Sequence, residues 1–531
     1  DVEYDFLVHL ARCADRDVAA LDAAFLYNET DRSPQHVASV QVIELPEGSN
    51  ETQFIADLKK LAMSRVHLIP YFTNKLQFVP FNLDHPVWVR DDKFDIDRHI
   101  LRAEVDAPGS RREMEAKIAE LHAQTMDRSK PLWELWVLTG LQGGRVAFYN
   151  RSHHSALDGV SGQAAVAAFM DTTPAPQPVE PAREGFFRGA GPRATGELMA
   201  SAFENFMKFQ VRQASKALSH LDTATRLFQR TIDPSKGLGA VTEGAPRTRF
   251  NQSVHSARSY ATGELPLGEV KAIGKVTGTT VNDVFLAICG GALRRYLSRL
   301  GELPEQPMVA GCPVSLRKPG DTALNNQVAM MMVACATDEP DPIKRLLKTA
   351  QSSAQAKGFI ADVSGSYDAD ISLPGLPALM TGALRMAESA NIADMSGTPL
   401  PCNLVVSNVP GPRETMYAVG GRMLTHYPVS IPAHSQAVNI TVQSYTDQMY
   451  FSITGCAAAL PDADKLRDDM LAAFVELKDR LLETAPARLQ ARQRAGVSQK
   501  ASAAQRASTP ASRKKLGHEE TAGTSDSSRA A

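Results

Sequence analysis

The chain has 531 residues, of which 43% are hydrophobic and 22% charged, and its formal net charge is −2. That length exceeds what one hydrophobic core holds, so two domains are expected. The near-neutral charge excludes bulk attraction to nucleic acid and leaves any attraction to a lipid surface to local patches. In chain order, Leu21–Leu26 predicts a short helix and the alternation from His36 to Glu44 a strand. Glu51–Arg65 places Phe54, Ile55, Leu58, Leu61 and Ala62 on one helical face. Arg112–Met126 does the same with Met114, Ile118, Leu121 and Met126. Trp133–Leu138 and Arg145–Asn150 read as strands flanking a Gly143-Gly144 turn.

Pro174, Pro176, Pro178, Pro181 and Pro192 then mark a linker. Beyond it, Glu197–Gln229 predicts a long amphipathic helix. Met199, Phe203, Met207, Val211, Ala214, Leu218, Leu221 and Phe228 form its stripe, with Lys208, Arg212, Lys216, Arg226 and Arg230 on the other side. Such a stripe packs on the parent protein or lies on a membrane. In the second half, Thr280–Leu300 predicts a helix, and Met308–Ser315, Val328–Ala336 and Asn403–Ser407 predict strands. Val438–Ser444 and Gln448–Thr454 form a hairpin around Asp447, and Asp464–Glu483 closes the order as a helix. The segments expected are therefore 1–171, a linker and helix over 172–246, a second domain over 247–484, and a tail over 485–531.

The tail is expected to be disordered, since it has almost no large apolar residues. From Arg488 to Lys515 its charged residues are all basic. They are solvated, or they attract anionic lipid at ~1 kcal/mol per basic residue near the surface. The longest apolar run, Val328–Ala336, falls far short of the ~20 residues that span a bilayer, and it reads as a buried strand. The first twenty residues mix Asp, Glu, Arg and His with apolar positions, so no secretory signal is expected. Cys13, Cys289, Cys312, Cys335, Cys402 and Cys456 include no CxxC pair and read as buried thiols in a reducing cytosol.

Chemistry concentrates in His153-His154-Ser155-Ala156-Leu157-Asp158-Gly159, between the strand Arg145–Asn150 and a helical stretch over Ser161–Met170. A loop at a strand end holds a side chain rigidly while letting it reach a cleft. Histidine titrates near neutrality, so a neutral imidazole takes a hydroxyl proton and later protonates a leaving thiolate. Asp158-Gly159 supplies a turn and a nearby carboxylate. Two other readings compete: a plain strand-end turn, and a metal site using His153, His154 and Asp158. Adjacent strand residues point apart, and no other tight His or Cys cluster supports a metal, so one histidine as general base is the preferred reading.

The segment resembles the HHxxxDG motif of the bacterial wax ester synthase/diacylglycerol acyltransferase family, within the chloramphenicol-acetyltransferase-like superfamily. Further pieces follow in family order. Pro131-Leu132-Trp133 resembles the PLW element, and Asn282-Asp283 the ND element at a helix start. Pro313-Val314-Ser315-Leu316-Arg317 and Ser407-Asn408-Val409-Pro410-Gly411-Pro412 also look like family segments. The resemblance runs from about Ala20 to Glu483.

It implies an α/β fold of two chloramphenicol-acetyltransferase-like domains with a substrate tunnel between them. It also implies an O-acyltransferase that moves a long-chain acyl group from acyl-CoA to a fatty alcohol or diacylglycerol, with no cofactor or metal. His154 maps to the general base, His153 to the family's extra histidine, and Asp158 to a structural carboxylate with Arg317 as its partner. Gly159 completes the motif. Asn282 is either an oxyanion donor or the cap of the helix 283–297. Trp133 reads as packing for the His-bearing strand, the Asn408–Pro412 turn as a rigid corner, and Met330-Met331-Met332 as strand core or a pliable wall for acyl chains. The enzyme is expected in the cytoplasm, peripheral to the inner membrane or lipid inclusions. The alternatives are a related acyltransferase using a polyketide diol or a carrier-protein donor, and a non-catalytic lipid-droplet binding protein.

Overall fold

The computed structural model describes residues 17–157, 162, 166, 168–187, 191–232, 240, 244–316, 327–363, 373–397 and 399–483; in the helix 195–232 it describes the side chains of 195–213, 215 and 225. Asp158, Gly159, Arg317, Cys13 and the tail over 485–531 lie outside these residues.

Two six-stranded sheets carry the architecture. The first has the order β11-β12-β1-β6-β5-β4. It is built from β1 (His36–Glu44), β4 (Ile100–Glu104), β5 (Trp133–Leu141), β6 (Arg145–His153), β11 (Tyr417–Ala418) and β12 (Gly421–Val429). The second, of order β7-β14-β13-β10-β8-β9, uses β7 (Arg258–Pro266), β8 (Val309–Ser315), β9 (Val328–Ala334), β10 (Leu404–Val409), β13 (Val438–Tyr445) and β14 (Gln448–Cys456). Both mix directions: β4 runs parallel to β5, and β10 runs parallel to both β13 and β8. A short ladder pairs β2 (Asn74–Gln77) with β3 (Val87–Arg90). The expected α/β class is what the chain adopts.

The β5–β6 hairpin forms where the glycine pair stands. Gly143 and Gly144 take φ of 76° and 64°, a conformation that L side chains rarely adopt. Helices Glu51–Arg65 and Arg111–His122 cover this sheet, burying Phe54, Leu58, Ala62, Met114, Ile118 and Leu121 against Val40, Val146 and Phe148. The second helix starts at a capping box between Ser110 and Glu113. It stops at His122, short of the expected Met126, and the Arg151 guanidinium takes the carbonyls of Leu121 and Gln124 at 2.8 Å each. The second sheet packs on Val281–Leu300. Gly290 of that helix sits so close to the chain beyond β9 that a Cβ there would lie 2.2 Å from the Cys335 carbonyl oxygen.

The boundaries expected at 171 and 247 divide the chain's composition but not its sheets. β11 and β12 come from the C-terminal half yet complete the first sheet, with β12 antiparallel to β1. Composition carries no mark of this crossover, because β12 has ordinary strand residues. β12 also ties the sheets together, since the hydroxyls of Tyr260, Ser452 and Tyr450 donate to the carbonyls of Pro428, Pro428 and Leu424.

Two expectations about apolar runs need correction. Met331 is buried at 1% exposure, but Met330 points outward at 42%, because β9 is an edge strand and alternate side chains face opposite sides. The amphipathic helix, observed as Thr195–Ile232, buries Leu198 and Phe209 but not the Met199, Phe203, Met207 and Val211 part of its expected stripe; the side chains of Ala214, Leu218, Leu221 and Phe228 lie outside the described residues. Phe203 and Val211 stand 67% and 68% exposed, with Met199 and Met207 beside them on the same face. The five cysteines among the described residues are buried and unpaired.

Candidate functional site

The paired histidines emerge from β6 held by backbone bonds on both sides. His153 N–H donates to the Leu132 carbonyl at 3.0 Å, and His154 N–H to the Gln35 carbonyl at 2.9 Å. Ala156 N–H closes a turn onto His153 O at 3.0 Å. The starts of β1 and β5 therefore fix where β6 ends and where each imidazole leaves the sheet.

The two side chains have different fates. His153 is fully buried. Its Nδ1 accepts the Ser155 N–H at 3.1 Å and lies 2.7 Å from the Ser155 hydroxyl. An Nδ1 that accepts a backbone N–H carries no proton, so the ring proton sits on Nε2. Nε2 faces Glu29 Oε1 at 3.4 Å. Burial alone would raise the Glu29 carboxyl. His153, the Arg128 guanidinium at 2.7 Å and the Gln35 N–H at 3.1 Å overcome that and hold it down at about 2. His154 is only half-buried, and its ring stacks flat on Phe25 with centroids 4.0 Å apart. His153 is thus sealed in the interior, with Nδ1 bound to Ser155 and Nε2 facing Glu29, while His154 is held in plane by an aromatic neighbour and stays partly exposed.

Beneath the pair lies a layer of neutral histidines. His36, opposite His153 in the β1–β6 register, meets His122 edge-on at 4.5 Å. Burial drives His36 well below the usual imidazole range and His122 to about 3. His122 Nε2 donates to the Ser430 carbonyl at 2.9 Å, leaving Nδ1 to accept the Tyr149 hydroxyl at 2.8 Å. Next to them Arg151 and Lys130 flank the buried Glu134, at 2.8 and 3.0 Å.

Pro131-Leu132-Trp133 packs as expected and also clamps. Leu132 supplies the carbonyl that anchors His153, and Trp133 Nε1 donates to Phe72 O at 2.9 Å while its ring stacks on His99 at 4.5 Å. The cap of the ND helix needs correction. Thr280 is the N-cap, with its hydroxyl accepting the Asp283 N–H and the Asp283 carboxylate accepting the Thr280 N–H. Thr-x-x-Asp is itself a capping pattern, which takes that role away from Asn282. Asn282 instead accepts from Asn408 Nδ2 at 3.4 Å and lines a cavity of about 620 Å³. Neither His153 nor His154 lines that cavity. The Asn408–Pro412 turn is a tight corner: a Cβ on Gly411 would lie 2.0 Å from Ser444 O. Phe25, Glu29, Gln35 and His36 were missed in the sequence, and nothing local marks them, since each matters only through a strand or helix distant in the chain.

Residues 18–285 match the wax ester synthase/diacylglycerol acyltransferase catalytic domain, and residues 324–478 the C-terminal domain of the same family. A Mycobacterium tuberculosis protein named "Putative diacylglycerol O-acyltransferase" is 33% identical over 467 residues, which is 87% of this chain and 89% of that one. A Mycobacterium bovis protein of the same name is 31% identical, over 90% of this chain and 93% of its own. Among solved structures, the wax ester synthase/diacylglycerol acyltransferase of Marinobacter aquaeolei VT8 superposes with a TM-score of 0.61 at 26% identity, covering 87% of this chain and 99% of that one. The first condensation domain of the CDA synthetase shares the fold at 13% identity, with a TM-score of 0.50 over 88% of this chain and 97% of its own.

Proposed function

This chain belongs to the wax ester synthase/diacylglycerol acyltransferase family, and from that premise we propose that it moves a long-chain acyl group from CoA to a fatty alcohol or diacylglycerol, with His154 as general base. The observation that carries the assignment is the contrast within the histidine pair. His153 is fully buried with Nδ1 bound to Ser155, whereas His154 is only partly buried and set by Phe25 and Gln35. Neutral His154 takes the acceptor's hydroxyl proton as the oxygen attacks the thioester carbonyl. The tetrahedral intermediate collapses, the C–S bond breaks, and the thiolate recovers the proton from the imidazolium. The atoms balance without a covalent enzyme intermediate.

The test is purified protein with palmitoyl-CoA, offered hexadecanol and dioleoylglycerol in parallel, with thiol release and ester formation followed together. Ester matching the released thiol with either acceptor is expected. Thiol release without ester, or none at all, overturns the proposal.

Such substrates partition into lipid, and no single helix among the described residues is long and apolar enough to cross a membrane. The proposal therefore places the enzyme peripherally, on the cytoplasmic side of the inner membrane or on lipid inclusions. Support comes from the exposed face of Met199, Phe203, Met207 and Val211. Phe203→Glu combined with Met207→Glu should cut liposome flotation at every salt concentration, because burial of apolar area is not screened as charge is. Flotation equal to the parent's would discard this face as the attachment.

A further inference from the structure

The cavity beside Asn282 has a composition that the histidine site does not use. Among the described residues its lining includes Lys271, Lys357 and Arg413 and no carboxylate. The three cations come from separate places: Lys271 from the helix Leu267–Thr277, Lys357 from Pro342–Val363, and Arg413 from the residue after the Asn408–Pro412 corner. All three are exposed, so they form a solvent-facing rim. In a chain whose net charge is −2, that is a local excess of positive charge on one opening.

Inward from the rim the character changes. Half-buried Asn282, Ser444 and Thr446 offer an amide and hydroxyls, with the Asn408 amide exposed at the edge beside them, and Cys312, Met331, Val406 and Met449 make a buried apolar floor. Charge outside, hydrogen-bonding groups between and an apolar floor suit a ligand built in the same order. We propose that this cavity binds the phosphorylated nucleotide end of the acyl-thioester donor, with Lys271, Lys357 and Arg413 holding its phosphates and the amide-bearing arm lying along Asn282 and Asn408. The inference rests on the reading of the enzyme as a CoA-dependent acyltransferase and adds the residues that select the donor. Lysine and arginine both bind phosphate by charge, and arginine adds a planar pair of donors.

A phospholipid headgroup presents the same phosphate chemistry, so the experiment separates the two sources. Full-length Lys271→Glu/Lys357→Glu/Arg413→Glu is compared with the parent and with a Lys271→Arg/Lys357→Arg control, all shown folded by thermal melting. KM and kcat are measured with palmitoyl-CoA and with palmitoyl-pantetheine, which has the same arm and no phosphate. Reversing three exposed charges should raise KM for palmitoyl-CoA by at least about tenfold. It should leave kcat and the KM for palmitoyl-pantetheine within about twofold, and the arginine control should behave as the parent. Binding of adenosine 3′,5′-bisphosphate, followed by calorimetry, should weaken in step.

If the two donors' KM values move together, or neither moves, the assignment is overturned. It is equally overturned if flotation on anionic vesicles falls while KM for palmitoyl-CoA holds, since the cations then serve headgroups. If the parent turns over no thioester at all, the acyltransferase reading fails, and the bisphosphate titration still decides the cavity by itself.

Discussion

His154→Ala should lower kcat by about 10²-fold or more, the usual scale for loss of a general base. The effect should fall on kcat more than on KM, because the imidazole acts on a proton in flight and does not supply the grip on either long chain. The fold should survive: His154 is half-buried, and its loss removes one stacking partner from Phe25 without opening a buried charge. His153→Ala should behave the other way round. It costs less in rate, but it leaves the buried Glu29 carboxylate without one of the groups that hold it ionised, so stability should drop. A stopped thiol-release assay on both variants, with melting curves alongside, checks the pair. Near-parental turnover by folded His154→Ala would falsify the base assignment.

Arg151→Ala should destabilise the protein by ~3–5 kcal/mol, the scale for breaking a buried ion pair from one side. Arg151 Nε and Nη2 both donate to Glu134 Oε2, at 3.1 and 2.8 Å, and its Nη1 caps the end of the helix Arg111–His122. Burial raises the Glu134 carboxyl, and Arg151 with Lys130 more than offsets this, so the group ends below its ordinary value. A depressed carboxylate contributes stability that is present above the unfolded pKa and lost as pH falls through the folded one. In the variant that depression weakens and burial favours protonation. The gap in melting temperature between parent and variant should therefore narrow as pH drops below the ordinary carboxylate range. Glu134→Gln in the Arg151→Ala background should not recover the loss, because Lys130 still pairs with Glu134 at 3.0 Å and would itself be left buried without a carboxylate partner. Equal melting temperatures for parent and Arg151→Ala at neutral pH would overturn this account.

What was legible in the sequence was what is local. The β5–β6 hairpin follows from alternation around two glycines, the helix faces from their period, and His153-His154 from a strand running into a turn. The Thr280–Asp283 cap was legible too but was passed over for Asn282, since the pattern spans positions on both sides of the motif. The supports of the histidines could not be read in the same way. Glu29 reaches His153 from the end of the helix Ala20–Asn28, and Arg151 faces Glu134 across the β5–β6 pair, and the identity of a buried partner leaves no period or spacing of its own. The stripe of the helix Thr195–Ile232 shows a second limit. Periodicity marks an apolar face, but it does not say whether the molecule covers it.

The crossover of β12 into the first sheet sets an order of events during synthesis. β1 ends at Glu44, and its neighbour on one side begins only at Gly421. A ribosome adding ~5–20 residues per second delivers that neighbour on the order of 20–80 s after β1. Throughout that interval β1 offers a bare edge of backbone N–H and C=O groups, able to template any other nascent strand. Poor recovery of this protein on rapid overexpression would then arise from crowding among unfinished chains and would say nothing against the finished fold. A lower level of expression or a holdase chaperone, rather than stabilising substitutions, would be the remedy.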